Sequence, residues 1–351
     1  MFEKLHKGVA TLAQLAEFDE IIDARSPAEY VDDHLPRAIG CAVLSNEERA
    51  RVGTIYKQVS PFAAKKVGAA LVAKNIARHI EERFLDKPRE WKPLVYCWRG
   101  GKRSGAFTHI LREIGWDAHR LDGGYKAWRR HMVEQLATLP ASFNYRVISG
   151  ATGSAKSRVL EALGDAGAQI LHLEQLAAHK GSVLGNLPDA PQPAQRMFET
   201  NLFSALTALD PARPVHVEAE SRRIGVLHLP DALIAAIRAA PCIRIEATTS
   251  ARVDFLLRDY DYFLANPSWL AEKIQHLKGL QSEETVARWQ ALIEAGDFPT
   301  LVGELLEKHY DPLYRRSQSK NYADYAAAAN HAAADLSEAS IRRLAEAILA
   351  A

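Results

Sequence analysis

Cysteine is scarce: Cys41, Cys97 and Cys242 are the only three in 351 residues. They lie far apart, form no CxxC pair and have no histidine at zinc spacing. This argues against a disulfide framework and a structural metal, and for a reducing, cytoplasmic setting. Long apolar runs are missing too, since no stretch approaches the ~20 residues that span a bilayer. The opening Met1-Phe2-Glu3-Lys4 lacks the apolar core of a signal peptide, so no membrane partner is expected. An excess of either charge is also absent. The net charge of +1 means that any basic surface for a nucleic acid must be local. What is present is the composition of a globular protein, 48% apolar and 25% charged. The length exceeds that of one ordinary core and implies two domains.

The richest stretch is Tyr96-Cys97-Trp98-Arg99-Gly100-Gly101-Lys102-Arg103-Ser104. It follows the apolar run Pro93-Leu94-Val95-Tyr96, which reads as a buried strand. It precedes Phe107, Ile110, Leu111 and Ile114 at helical spacing. A thiol between a strand and a helix start faces unpaired N–H groups. With Arg99, Lys102 and Arg103 alongside, these favour the thiolate. Gly100 and Gly101 let the backbone curl into an anion nest. A cysteine at a strand end is ordinarily a small core residue, and Cys41 and Cys242 are read that way. The glycines and cations single out Cys97.

Around this loop the chain alternates. Leu15 to Asp23 leads to a strand, then Pro27 behind the N-cap Ser26 starts a helix. A turn over His34 to Gly40 precedes a short strand through Cys41-Ala42-Val43, and a helix is expected from about Ala63 to Phe84. Asp117 to Leu121 is a further strand, followed by Asp122-Gly123-Gly124-Tyr125 and a helix through Trp128. The alternation predicts an α/β domain with a parallel sheet over 1–136. A second domain, 137–351, restarts with the strand Tyr145 to Ser149. Apolar runs at Gln169–Leu173, Val215–Ala219 and Ile243–Ala247 predict further strands of its sheet. Helical spacing dominates Arg252 to Tyr310 and Ser337 to Ala350. The tract Ala326 to Ala334 reads as a helix or a loose linker.

Gly150-Ala151-Thr152-Gly153-Ser154-Ala155-Lys156-Ser157 sits between a strand and a helix, the context of a phosphate-binding P-loop. Gly150, Gly153 and the helix N-terminus would cradle phosphates, Lys156 adds a point charge, and Ser157 can ligate Mg²⁺. Ala155 stands where a glycine is expected before the lysine, a strained choice if that position needs a positive φ. Val215-His216-Val217-Glu218-Ala219-Glu220 offers two carboxylates. By period two they share a face, so either Glu218 or Glu220 is a candidate metal partner. The simpler alternatives are a glycine-rich helix cap and an ordinary ion pair with Arg222 and Arg223.

Together these motifs carry a resemblance. Cys97 to Arg103 resembles the Cys-x-x-Gly-x-x-Arg loop of rhodaneses, and Asp23 to Tyr30 and Leu121 to Tyr125 resemble the other rhodanese signatures. A rhodanese domain followed by a P-loop domain resembles the bacterial tRNA 2-selenouridine synthases. The stretches Leu173-Glu174 through His179-Lys180-Gly181-Ser182 and Val217 to Gly225 add to that likeness. The resemblance implies a rhodanese-like parallel-sheet domain, then a P-loop NTPase-like α/β domain with added helices. It implies that wobble 2-thiouridine of tRNAs for Lys, Glu and Gln is S-alkylated by geranyl diphosphate. The geranylthio group is then replaced by selenium from selenophosphate. On this reading Cys97 carries selenium, Arg99 and Arg103 hold its anion, and the Lys156 loop holds a diphosphate without hydrolysing ATP. A selenophosphate-supplying enzyme is then an expected partner.

The tRNA anticodon stem-loop needs cations for phosphates and aromatic rings for unpaired bases. Candidates are Arg222 and Arg223, Arg258 with Tyr260 and Tyr262, and Tyr314 with Arg315 and Arg316. Each cluster is equally compatible with a solvated helix face. Two other readings stay open: a sulfurtransferase fused to a P-loop kinase or NTPase, and a non-catalytic tRNA-binding module.

Overall fold

The computed structural model describes residues 8–322 and 325–351, leaving aside the side chains of residues 315, 317–320 and 326. The chain divides into two compact units, residues 1–135 with 199–201, and the remainder from Leu136 onward. Each is built on a five-stranded, all-parallel sheet.

In the first unit the strands are β1 (Val9–Ala10), β2 (Glu20–Asp23), β3 (Ala38–Gly40), β4 (Pro93–Tyr96) and β5 (His119–Leu121), in the order β1-β5-β4-β2-β3. All four residues of β4 are buried, as expected for a central parallel strand covered on both faces. The helices are α1 (Pro27–Asp32), α2 (Asn46–Gln58), α3 (Pro61–His79), α4 (Lys102–Ile114) and α5 (Gly124–Leu136). Ser26 caps α1 in a reciprocal box with Glu29. Ile22, Val95, Phe107 and Leu111 build the core against which Cys97 lies.

One expectation for this unit changes and one helix is added. The strand expected through Cys41-Ala42-Val43 ends one residue before Cys41, because β3 pairs with β2 only from Ala38 to Gly40. The helix expected from about Ala63 to Phe84 is present as α3 continued by a π turn over Ile80–Phe84, and the helix packed against it, α2, was not foreseen. Helix α2 buries none of its residues, so it carries little apolar periodicity to read.

The second unit holds β6 (Tyr145–Ser149), β7 (Gln169–Leu171), β8 (Val215–Glu218), β11 (Cys242–Ala247) and β12 (Ala329–Ala333), ordered β12-β11-β6-β8-β7. A small antiparallel pair, β9 (Arg223–Ile224) and β10 (Leu227–His228), stands apart. Its helices begin with α6 (Lys156–Asp165), α7 (Leu173–Leu176), α8 (Gln195–Thr207) and α9 (Asp231–Ala239). A helical stretch follows: α10 (Thr249–Asp259), α11 (Asp261–Ala265), α12 (Pro267–Gln275), α13 (Glu283–Glu294), α14 (Phe298–Leu305) and α15 (Asp311–Asn321). Helix α16 (Glu338–Ala350) closes the chain with Ile341, Leu344 and Ile348 packed on the core shared with α6. The tract read as helix or linker contains a strand instead. Ala329 to Ala333 pairs in register with Ile243 to Ala247, an edge position where backbone hydrogen bonds matter more than side-chain propensity.

Candidate functional site

Cys97 and Lys156 both follow the C-terminal end of an inner strand, where open parallel sheets place their ligands. In the first unit Cys97 leaves β4 only 4% exposed. Its sulfur accepts a hydrogen bond from the Ser104 hydroxyl at 3.2 Å, at the start of α4. Burial opposes ionisation. The hydroxyl and N–H of Ser104, the charge of Arg103 and the Gly101 N–H outweigh it and hold the thiol below its ordinary value. Cys41 has Arg83 beside it at 3.9 Å, but burial outweighs that charge and pushes its thiol up to about 11.

The downstream Asp122-Gly123-Gly124-Tyr125 segment is the other wall of this loop. The Cys97 and Trp98 carbonyls accept from the N–H groups of Tyr125 (2.9 Å) and Lys126 (3.0 Å). A Cβ on Gly124, at φ +55°, would run into the Cys97 carbonyl oxygen and the Gly100 nitrogen, and one on Gly100 would meet the Leu121 carbonyl. Only glycines let these two backbones approach. Arg120 fastens the far side by donating to the Gly100 carbonyl at 3.0 Å.

The Asp23-to-Tyr30 segment supplies a buried brace. Arg25, 2% exposed, pairs with Asp23 at 2.6 Å and lies 4.0 Å from the Tyr125 ring centroid. Tyr96 donates to Asp23 at 2.6 Å and Tyr125 to Asp33 at 2.7 Å, so β4 and the start of α5 are tied to one cation. Two expectations divide here. Arg99 and Lys102 are exposed beside the loop and free to meet an anion. Arg103 is not: it donates to Glu29 at 2.8 and 3.3 Å, and its charge reaches Cys97 from that fixed position. Burial raises the Glu29 carboxyl, but Arg103 and the Ser26 N–H bring it down to about 2.

In the second unit the P-loop runs from β6 to α6. Ala155 has φ +59° and ψ +28°, a left-handed conformation that costs alanine about 1–2 kcal/mol. Its methyl group is buried in the core with Val159 and Ile245, which offsets part of that cost. Gly153 stands at φ +79° in the loop, and the Gly150 N–H donates to the Tyr314 hydroxyl at 2.6 Å. The Lys156 ammonium curls back to the Gly150 carbonyl at 2.9 Å and lies 5.7 Å from the Tyr314 ring centroid.

The carboxylates around Lys156 are not the expected set. Strand β8 ends at Glu218, so strand alternation does not extend to Glu220. Glu218 is fully buried and committed: it meets His172 at 2.5 Å and accepts the Leu173 N–H at 3.0 Å. Burial lowers the His172 pKa, but Glu161 and Glu218 raise it to about 10, so this imidazolium is an internal countercharge. Glu218 is therefore displaced as a metal candidate. Glu174 and Glu220 line the phosphate cavity instead, with Lys156, Ser157 and Tyr260. Ser157 donates to Glu174 at 2.5 Å. Both carboxyls are raised, first by burial and then by like charge nearby. A Cβ on Gly181 would sit 2.7 Å from an oxygen of each. Sequence reasoning passed over Glu174 because it lies in a one-turn helix beyond β7 with no strand pattern to mark it.

A hydroxyl and two carboxylates, one in excess of the local ammonium, fit a divalent cation. Among the described residues no group of three or more His, Cys, Asp or Glu is spaced to hold a metal through protein atoms alone. Any such ion would therefore share its shell with ligand oxygens and water.

Of the expected tRNA contacts, Tyr260 and Tyr314 meet in one cavity at the P-loop, while Arg222, Arg223 and Arg258 do not line it. Tyr260 belongs to the phosphate cavity, with the Lys180 ammonium 4.2 Å from its ring centroid and paired to Asp259 at 2.7 Å. Arg258 instead lines a different cavity with Arg158 and Leu336, donating to the Leu336 carbonyl at 2.9 Å. Arg222 is exposed and paired with Asp231 at 2.6 Å, and Arg223 donates to the Gly225 carbonyl. Arg316 is exposed, while the side chain of Arg315 lies outside the described residues.

One neighbour of the phosphate cavity was not foreseen. A small apolar chamber of about 60 Å³ shares Thr152, Ser182, Leu256 and Tyr260 with it. Beyond those residues and Tyr310 the chamber wall is hydrocarbon, with Leu270 of α12 and Phe298, Leu301 and Leu305 of α14.

These features define a class: a rhodanese-like unit with an activated cysteine, joined in one chain to a P-loop unit. Residues 8–131 match the Rhodanese-like domain model, and residues 143–285 match the model described as tRNA 2-selenouridine synthase AAA domain. Among similar proteins, the tRNA 2-selenouridine synthase of Nitrosomonas europaea is 35% identical over 73% of this chain and 66% of its own length. That of Alcanivorax borkumensis is 38% identical over 68% and 66%. That of Shewanella halifaxensis is 32% identical over 84% and 87%. The matched region thus spans just under two thirds of the first two relatives and most of the third. The chain belongs to the tRNA 2-selenouridine synthase family.

Proposed function

We propose that this protein is a transferase that converts wobble 2-thiouridine of tRNAs for Lys, Glu and Gln to 2-selenouridine in two steps. In the first, the thione sulfur attacks C1 of geranyl diphosphate. A C–S bond forms, the C–O bond breaks, and the electron pair leaves with the diphosphate while the base gives up its N3 proton. The observation that carries this reading is the hydrocarbon chamber opening from the phosphate cavity. A nucleoside needs polar partners in the same place, whereas an isoprenoid diphosphate needs a cradle and an oily wall. Lys156 and the loop N–H groups stabilise the departing diphosphate. Ser157, Glu174 and Glu220 are the residues to hold Mg²⁺, which when bound neutralises diphosphate charge. ATP hydrolysis has no part in the scheme.

In the second step selenium replaces the geranylthio group. Selenophosphate carries selenium at the selenide level, so no redox partner is required. The Cys97 thiolate takes the phosphoryl group and releases selenide, which attacks C2; geranylthiolate leaves, and water then frees the phosphoryl group from Cys97 as inorganic phosphate. Arg99, Lys102 and the loop N–H groups hold the phosphoryl oxygens, with Arg103 acting through its field. The lowered Cys97 thiol also supports a version in which the thiolate carries selenium as a perselenide. That version consumes zero-valent selenium in place of selenophosphate and two external thiols, one to cleave the S–Se bond left on the product and one to free Cys97 from the resulting disulfide. A cytoplasmic location and supply of selenophosphate by a separate enzyme complete the reading. Mass spectrometry of wobble nucleosides from cells with and without the gene tests it. Loss of the seleno- and geranylthio-nucleosides is expected, and their persistence would refute it. A plain sulfurtransferase–kinase fusion predicts ATP turnover and no effect on tRNA.

A further inference from the structure

The hairpin of α2 and α3 plays no part in either site, yet its charge is the least balanced in the molecule. Between Glu48 and Glu81 there is no acidic residue, while Arg49, Arg51, Lys57, Lys65, Lys66, Lys74 and Arg78 supply seven cations. The whole chain has a net charge of only +1. Arg49 pairs with Glu29, and among the described residues the other six form no ion pair.

The base of the hairpin is fixed in the core of the first unit. Asn75 donates to the Val43 carbonyl at 3.1 Å and to Glu48 at 2.8 Å, and Ile76 is fully buried in the core that holds Cys97. The legs touch closely where Val52 packs on Gly68. Toward the turn this burial stops. From Gly53 to Lys66 only Ala64 is buried, and Tyr56, Val59 and Phe62 are 57%, 72% and 69% exposed. Lys66 rests 5.2 Å from the Phe62 ring centroid. Exposed aromatic rings among unpaired cations, with no carboxylate to repel a polyanion, are the elements of a single-stranded RNA platform. An anionic membrane would ask for a continuous apolar helix face, whereas the exposed large apolar side chains of this hairpin are Tyr56, Val59 and Phe62, clustered about its turn.

We infer that the α2–α3 hairpin is an RNA-binding arm: Lys57, Lys65 and Lys66 meet phosphates, and Tyr56 and Phe62 stack on unpaired bases. This rests on the reading that tRNA is the substrate, so the wild-type chain is titrated first with unmodified tRNA from 50 to 200 mM salt. Each phosphate contact adds about 0.7–0.9 to the slope of log Kd against log salt. The Lys57→Ala/Lys65→Ala/Lys66→Ala variant is expected to lose about two to three from that slope. Over this fourfold salt range its Kd then changes about 30-fold less than that of the wild type. Tyr56→Ala/Phe62→Ala is expected to weaken binding about tenfold with the slope unchanged. Lys→Arg at the same three positions keeps the wild-type slope, which separates charge from misfolding. If wild type binds tRNA and the triple alanine variant has the same slope and Kd, the arm is refuted and the tRNA reading survives. If wild type binds no tRNA, the tRNA reading itself falls. If the triple variant loses only binding to phosphatidylserine vesicles, the hairpin is a lipid surface and the inference is overturned.

Discussion

The hydrocarbon chamber beside the P-loop makes a quantitative demand on the donor. Burying a methylene contributes about 0.8 kcal/mol, so removing five carbons from a ten-carbon chain forfeits about 4 kcal/mol if burial is complete. Each 1.4 kcal/mol is a factor of ten, which sets an upper discrimination near 10³. Ordering of the chain and partial exposure at the mouth bring the expected preference for geranyl over dimethylallyl diphosphate to about 10²-fold in kcat/KM. Val302 lines the chamber and is only partly buried, so Val302→Trp takes up its space. The variant is expected to retain activity with the five-carbon donor and to lose most of its advantage with the ten-carbon one, leaving less than tenfold preference. Initial rates of S-alkylation of a 2-thiouridine anticodon stem-loop, read by mass spectrometry with each donor, measure both ratios. A wild type indifferent to chain length, or a variant as selective as wild type, would refute the assignment of the chamber.

Ser104→Ala removes the hydroxyl donated to Cys97, and hydrogen bonds to charged groups contribute about 1.5–3 kcal/mol. The midpoint of iodoacetamide alkylation against pH should rise by about one to two units, and an unmoved midpoint counts against the thiolate reading. Gly124→Ala forces a methyl group into the Cys97 carbonyl oxygen at a positive φ and should destabilise by 3 kcal/mol or more, about the scale of a backbone clash. Gly101→Ala, at φ −98° and facing open space, should be nearly neutral, so equal thermal shifts for the two would contradict the packing described. The His172 pKa is raised to about 10 by its carboxylates despite burial. Its stabilisation is complete below about 6.5 and is lost as pH rises through 10. Urea unfolding should show His172→Gln losing less stability than wild type between pH 7 and 10, and equal losses exclude this pair.

Cys97 and Lys156 were legible because their chemistry is written in contiguous sequence: an apolar strand, a glycine-containing loop and a helix start. Gly100 and Gly124 were visible as motif residues, although the reason they are glycines is a contact across 24 positions of sequence that no local pattern encodes. Long-range pairing also accounts for the misjudged cations. Arg103 looks free in sequence and is spoken for by Glu29, 74 residues away. Glu218 was chosen over Glu174 because a carboxylate at a strand end is conspicuous, whereas one in the single turn of α7 is not. The edge strand β12 escaped because Ala329-Asn330-His331-Ala332-Ala333 has almost no β propensity and owes its form to pairing with β11. Arg258 and Tyr260 are close in sequence yet open on different cavities.

The central claim is a division of labour between two stations, and one pair of variants tests it most directly. Lys156→Ala and Cys97→Ala are each given two RNA substrates, a 2-thiouridine stem-loop with geranyl diphosphate and a pre-made S-geranylated stem-loop with selenophosphate, and the nucleosides are quantified. The account predicts that Lys156→Ala loses geranylation and still converts the S-geranylated RNA. It predicts that Cys97→Ala geranylates normally and fails to install selenium. If either variant loses both steps equally while remaining folded, or Cys97→Ala installs selenium at the wild-type rate, the assignment of one step to each station is contradicted.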